Sequence, residues 1–207
     1  MIALVDYGAG NLASVCKAFD ALGALPRVVR HPGDLQAPSA IVVPGVGHFA
    51  ATSTLDPAWR AAILAHVAAG GVLLGICLGM QWLFEASDEA PGCPGLGLLA
   101  GSCCRLERRP PLKVPHVGWN QLHMVRPSAV LEGVADGAHV YFTHSYAAPV
   151  TADCTASSSH GDTFAAVVER GPVWGTQFHP EKSGLTGLRV LKAFLRAADA
   201  RAARAPR

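Results

Sequence analysis

The chain has 207 residues, half of them hydrophobic and only 15% charged, ample apolar material for a sizeable core without metal or disulfide support. Its 17 Lys and Arg against 15 Asp and Glu, with the small excess largely in the tail over 201–207, lack the concentrated basic face that grips phosphates, so nucleic acid is not an expected partner. Six scattered cysteines without a C-x-x-C pair exclude a zinc ribbon or thioredoxin-type site and fit free thiols in a reducing cytoplasm.

In chain order, residues 2–5 are an apolar run ending at Asp6, read as a strand, and Tyr7-Gly8-Ala9-Gly10-Asn11 is a turn. The segment before Asp6 has no positive leader region, so no signal peptide is expected. Val15, Ala18, Phe19 and Leu22 lie at helical spacing over 14–22, with Gly23 as the stop. Strands are expected over 27–30 and 40–43, the second ended by Pro44-Gly45. A helix over 57–69, a strand over 72–76, a turn at Cys77 and a helix over 78–86 follow. The stretch 63–84 approaches the length of a membrane span. His66, Gly70, Gly71, Gly75, Gly79 and Gln81 interrupt it, so it reads as helix, buried strand, helix, and no membrane is expected.

After Ser87 proline and glycine become frequent. Strands are expected over 96–99, 116–125, 139–147, 163–169 and 173–178, as a mostly antiparallel extension rejoining the main sheet, and a helix over 185–198 closes the chain. With no repeat and no linker, residues 1–207 read as a single domain. Continuously apolar strands alternating with helices imply an α/β fold of three layers, a mostly parallel central sheet with helices on both faces.

Gly75-Ile76-Cys77-Leu78-Gly79 stands between an apolar strand and a helix. A nucleophile elbow needs such small neighbours because the turn is tight, and a cysteine at a helix N-terminus gains thiolate character from the dipole. Cys77 is therefore the candidate nucleophile. Cys16, Cys93, Cys103, Cys104 and Cys154 read as structural thiols. A thiol nucleophile needs a base and a group to orient it. His179 and Glu181, in Phe178-His179-Pro180-Glu181-Lys182 just past a strand, are two residues apart, so in extended chain they leave the same face. His31, His66, His123 and His160 read as ordinary surface histidines.

With these three residues the chain resembles the class I (triad) glutamine amidotransferases, which are flavodoxin-like. The likeness runs nearly end to end, through DYGAGNL at Asp6, PGVG at Pro44, GICLGMQ at Gly75, GLGLL at Gly95, KVPHVGWN at Lys113, YFTHSY at Tyr141 and QFHPEKS at Gln177. PGVG and PHxGWN narrow it to glutaminase subunits that pair with a (β/α)8-barrel cyclase in histidine biosynthesis. Ala100, where proline is usual, and His48, where a small residue is usual, depart mildly from the pattern.

The resemblance implies a heterodimer with that barrel. Its substrate would be glutamine, and no cofactor or metal is expected. Cys77 would form a γ-glutamyl thioester, His179 would move protons and Glu181 would hold its tautomer. Gly45, Gln81, Glu89, His144, Ser145 and Tyr146 would bind glutamine, and Asn11, Trp119, Tyr141 and Lys182 would meet the partner. The backbone N–H groups of Val46, Gly47 and Leu78 are the expected oxyanion donors, with a peptide flip near Val46 as a brake released by the partner. Trp119 and Tyr141 read equally well as core aromatics. The same triad also fits a glutaminase subunit of another synthase, a stand-alone thiol hydrolase, or a silent binding subunit.

Overall fold

In the computed structural model, which describes residues 1–204, the early apolar runs become β1 (Ile2–Val5), β2 (Arg27–Val29), β3 (Ala40–Val43) and β4 (Val72–Ile76), with α1 (Leu12–Asp20), α2 (Pro57–Ala68) and α3 (Leu78–Leu83) beside them. Residues 205–207, the end of the basic tail, lie outside the described residues. The helix starts follow their caps. The Asn11 side chain accepts the Ser14 N–H at 3.2 Å, and Asp56 accepts that of Trp59 at 2.9 Å, with Pro57 at the first helical position.

The later segments form β5 (Ala86–Ser87), β6 (Ser102–Arg105), β7 (His116–Gln121), β8 (His123–Met124), β9 (His139–His144), β10 (Tyr146–Ala147), β11 (Cys154–His160), β12 (Asp162–Arg170), β13 (Val173–Thr176) and α4 (Gly184–Arg204). The main sheet has the order β2-β1-β3-β4-β13-β12-β11-β8. It is parallel from β2 to β13 and antiparallel beyond. The order β2-β1-β3-β4 is that of doubly wound sheets, whose ligands sit outside the carboxyl ends of the strands. Cys77 lies at that end of β4.

Strand alternation sorts the core into two faces. Leu4, Val42, Leu74 and Ile76 pack with Phe19 of α1 and Phe194 of α4, while Val5, Ile41, Val43 and Leu73 pack with Trp59 and Ile63 of α2. Both faces are covered, which is why these strands are apolar throughout. Among the described residues no helix is long and apolar enough to cross a membrane.

The extension differs from expectation in definite ways. The helix over 78–86 stops at Leu83, and 96–99 is not a strand, for one shared reason. Leu98 and Leu99 donate to Leu83 O at 2.9 and 3.0 Å, and Gly97 donates to Phe84 O at 3.1 Å. The loop therefore caps the end of α3 instead of joining a ladder. The runs over 116–125 and 139–147 each break in two. β7 and β9 form a separate two-stranded sheet, β10 joins β6 and β5, and β8 goes to the edge of the main sheet. Leu122 marks one break, exchanging hydrogen bonds with Ala138 and Gly137. Ser145 marks the other, its carbonyl accepting from Leu106. The α4 helix runs beyond its expected end at 198, to Arg204.

Candidate active site

Cys77 occupies the turn from β4 into α3 with φ +52° and ψ −106°, a conformation that side chains other than glycine avoid. Its N–H donates to Thr176 O at 2.7 Å, tying the turn to β13. The flanking glycines are required by space. A Cβ on Gly75 would lie 2.7 Å from the backbone of Gly79 and Met80, and one on Gly79 would strike the Val43 carbonyl. The Cys77 thiol is buried at 5% exposure. Gln177 Nε2 donates to its sulfur at 3.6 Å, and the sulfur lies 3.9 Å from Thr143 O.

His179 comes from beyond β13. Its backbone is extended, with φ −96° and ψ 99°, and its N–H donates to Tyr141 O at 2.9 Å. The chain then turns into a 3-10 helix over Pro180–Lys182. The contact with Glu181 is thus made by that turn, not by two side chains leaving one face of an extended strand. His179 Nδ1 and Glu181 Oε1 are 2.8 Å apart, with side chains 1% and 2% exposed. The imidazole also contacts the Cys77 sulfur, and its other nitrogen, Nε2, makes no well-aligned hydrogen bond among the described residues. Burial disfavours charge on this imidazole, but Cys77 and then Glu181 outweigh it and raise its pKa to about 10. The pair can hold a proton at neutral pH on the imidazole beside the thiol.

A cleft of about 220 Å³ opens over the sulfur. Gly47, Leu78, Gln81, Glu89, His144, Ser145 and Tyr146, all expected at the site, line it with Cys77. Gly45 is not among the lining residues. It is buried behind the elbow, where a Cβ would meet the Tyr7 hydroxyl and Leu78. Val46 is not a lining residue either and is 36% exposed. Gly47 has φ +100°, which demands glycine, and Leu78, as first residue of α3, has an N–H that the helix leaves free. Gln81 Nε2 donates to Tyr146 O at 2.8 Å and to Gln177 Oε1 at 3.1 Å. Glu89 accepts the Phe49 N–H at 2.7 Å. The larger groove of about 540 Å³ beside Met1, His66 and Arg201 lies at the opposite end of the strands, away from this chemistry.

Trp119, Tyr141 and Lys182 lie together: the two rings meet edge-on at 6.1 Å, and the Lys182 ammonium is 5.8 Å from the Tyr141 centroid. Trp119 is 56% exposed, which rules out its reading as a core aromatic. Asn11 is exposed as the cap of α1, the helix that packs against the Pro180–Lys182 turn.

Sequence reasoning missed Gln177 and Tyr7. Gln177 stands two residues before His179 in near-extended chain, so the alternation applied to His179 and Glu181 would have found it. Tyr7 has a buried hydroxyl without a partner among the described residues, and burial, then the nearby Cys77, pushes its pKa up. No sequence signal marked it.

Residues 3–198 match the family model described as glutamine amidotransferase class-I. The chain is similar to imidazole glycerol phosphate synthase subunit HisH of Moorella thermoacetica, at 45% identity over 93% of each chain. It is also similar to that of Gloeobacter violaceus, at 48% identity over 98% of this chain and 92% of the relative. Among solved structures, a crystal structure of glutamine amidotransferase covers 96% of this chain and 100% of its own at TM-score 0.74 and 22% identity. PurLQS from Thermotoga maritima covers 94% and 97% at TM-score 0.71 and 20% identity. These two show the shared fold.

Proposed function

From its membership of the class-I glutamine amidotransferase family, to which this chain belongs, we propose that it is the glutaminase subunit of an imidazole glycerol phosphate synthase, as its HisH relatives are named. It hydrolyses glutamine to glutamate and ammonia, and the ammonia passes to a (β/α)8-barrel cyclase subunit. The observation that carries the reading is the buried Cys77 elbow with the His179 imidazole in contact with it and Glu181 on Nδ1 at 2.8 Å.

In this chemistry Cys77 Sγ attacks the amide carbon of glutamine. The C–N bond breaks while His179 gives its proton to the departing nitrogen, which leaves as ammonia. Water then attacks the γ-glutamyl thioester as His179 takes a proton back, and glutamate departs from the sulfur. A raised His179 pKa suits the first step, in which imidazolium acts as the acid. Leu78 N–H and the loop Gly45-Val46-Gly47 supply the oxyanion donors. The exposed Val46 peptide is the one that turns inward when the partner is loaded, which restrains hydrolysis until ammonia can be used.

The partner docks over the outer face of β7 and β9, where Val117 and Trp119 are more than half exposed, with Tyr141, Lys182 and Asn11 nearby. A glutaminase assay on this chain alone, with a barrel subunit, and with the barrel plus its ribonucleotide substrate tests the reading. It expects activity that rises strongly only in the loaded complex. Equal hydrolysis by the isolated chain would favour a stand-alone thiol hydrolase.

A further inference from the structure

On β7 the side chains alternate: Val117 and Trp119 are exposed, while His116 is buried and Asn120 is half-buried. Inside, an unbroken run of hydrogen bonds leads from Asn120 to the cleft. Asn120 Nδ2 is 3.3 Å from His116 Nε2, His116 Nδ1 is 3.1 Å from His144 Nε2, and His144 Nδ1 is 2.9 Å from Tyr146 O. The ends set the direction of every bond. A carbonyl only accepts, so His144 carries its proton on Nδ1 and its Nε2 accepts. His116 must then donate from Nδ1, which leaves its Nε2 to accept. At the far end Asn120 Oδ1 accepts the Gln121 N–H at 2.8 Å and Nδ2 donates to Ser159 O at 2.9 Å. The amide therefore presents an N–H, not an oxygen, to His116.

A proton added to either ring would set two donors face to face. Burial acts in the same direction, lowering the pKa of His144 to about 3 and of His116 to about 4. His160, stacked on His116 with centroids 4.2 Å apart, donates to or accepts from neither bond of the run; its Nε2 meets Lys113 O. The last acceptor, Tyr146 O, also takes Gln81 Nε2 at 2.8 Å, and residues 144–146 wall the cleft.

We propose that His116 and Asn120 are positioning residues that lock His144 as the neutral Nδ1–H tautomer and so fix the main chain of residues 144–146 against bound glutamine. The part concerning glutamine rests on the glutaminase reading; the tautomer lock does not. Without the His116 donor, His144 Nε2 becomes a buried lone pair without a partner, and the ring gains by turning toward a donor elsewhere, which releases Tyr146 O and with it the hold on the tautomer.

The test has two readouts. Nitrogen-15 NMR of histidine-labelled full-length chain is expected to find both His116 and His144 as Nδ1–H tautomers. Steady-state glutaminase kinetics in the complex with the barrel subunit are expected to show a KM for glutamine raised about tenfold in His116→Leu, with kcat within about twofold. His116→Asn keeps a donor near the Nδ1 position and is expected to restore both the tautomer of His144 and the KM. Should Leu at 116 disturb folding, Asn120→Leu removes the outermost donor of the run, with its bonds to Ser159 and Gln121, and is expected to shift both readouts the same way, by less. His144 found as Nε2–H in the wild type would overturn the proposal, as would an unchanged KM in a folded His116→Leu chain. The expected tautomers in a chain whose loaded complex leaves glutamine intact would sink the glutaminase reading and the glutamine half of the proposal with it.

Discussion

Along β4 and α3 Cys77 is carried into place by a strand, turn and helix continuous in sequence, whereas the facing wall of the cleft is assembled from segments far apart between residues 87 and 160. In the first region Gly75 is demanded by the turn itself, and Gly79 by the carbonyl of Val43 at the end of the neighbouring β3. In the second, residues 144–146 are held by His116, Leu106 and Gln81, none of them a neighbour in sequence. A local device is specified by its own residue spacing. A wall built from distant segments is specified by hydrogen-bond satisfaction, which spacing does not display.

The sharpest break of this comparison removes the proposed nucleophile. Cys77→Ala is expected to lower glutamine hydrolysis by at least about 10³-fold while leaving the melting temperature close to wild type, since the thiol contributes reactivity more than packing. Next comes a pair of alanine substitutions. Gly79→Ala drives a methyl into the Val43 carbonyl and is expected to cost about 2–4 kcal/mol. Gly92→Ala in the extension meets nothing within 4 Å and is expected to stay within about 0.5 kcal/mol. Denaturant melts of the two variants check the contrast, and equal losses would contradict it.

Histidine titration sharpens the comparison further. His179 has a folded pKa raised to about 10, so the stability it contributes is complete below its unfolded value of about 6.5 and is lost as pH rises from there to about 10. His116 and His144 have depressed folded values, about 4 and about 3. The folded state therefore loses stability as pH falls from about 6.5 toward those values. Stability is expected to decline on both sides of neutrality, for opposite reasons in the two regions. Glu181→Gln should flatten the alkaline limb and His116→Leu the acid one in urea melts taken across pH. The smallest effect on the fold is expected from Trp119→Ala: under about 0.5 kcal/mol in stability, yet about 2 kcal/mol weaker binding of the barrel subunit by calorimetry.

Legibility follows the same division. β1, β3 and β4 are continuously apolar because both their faces are covered, so their limits could be read to the residue. β11 escaped notice because Cys154–His160 reads CTASSSH, small and polar residues with weak strand preference. It is nevertheless buried over most of its length, between β12 and β8. The proposed triad was legible as residues but not as geometry: Glu181 reaches His179 through the Pro180–Lys182 turn. Gln177, next to the sulfur, shares with His179 a spacing of two residues that alternation alone displays. Gly45, expected to hold substrate, is buried against Tyr7 and Leu78 and does not line the cleft.

The central claim is that Cys77, and no other thiol, is the nucleophile. Treating the complex with a diazo-ketone analogue of glutamine and mapping the adduct by peptide mass spectrometry tests it directly. The account predicts one adduct, on Cys77, that is absent from Cys77→Ala although Cys104 is exposed. An adduct on another cysteine, or labelling that survives the substitution, would contradict it.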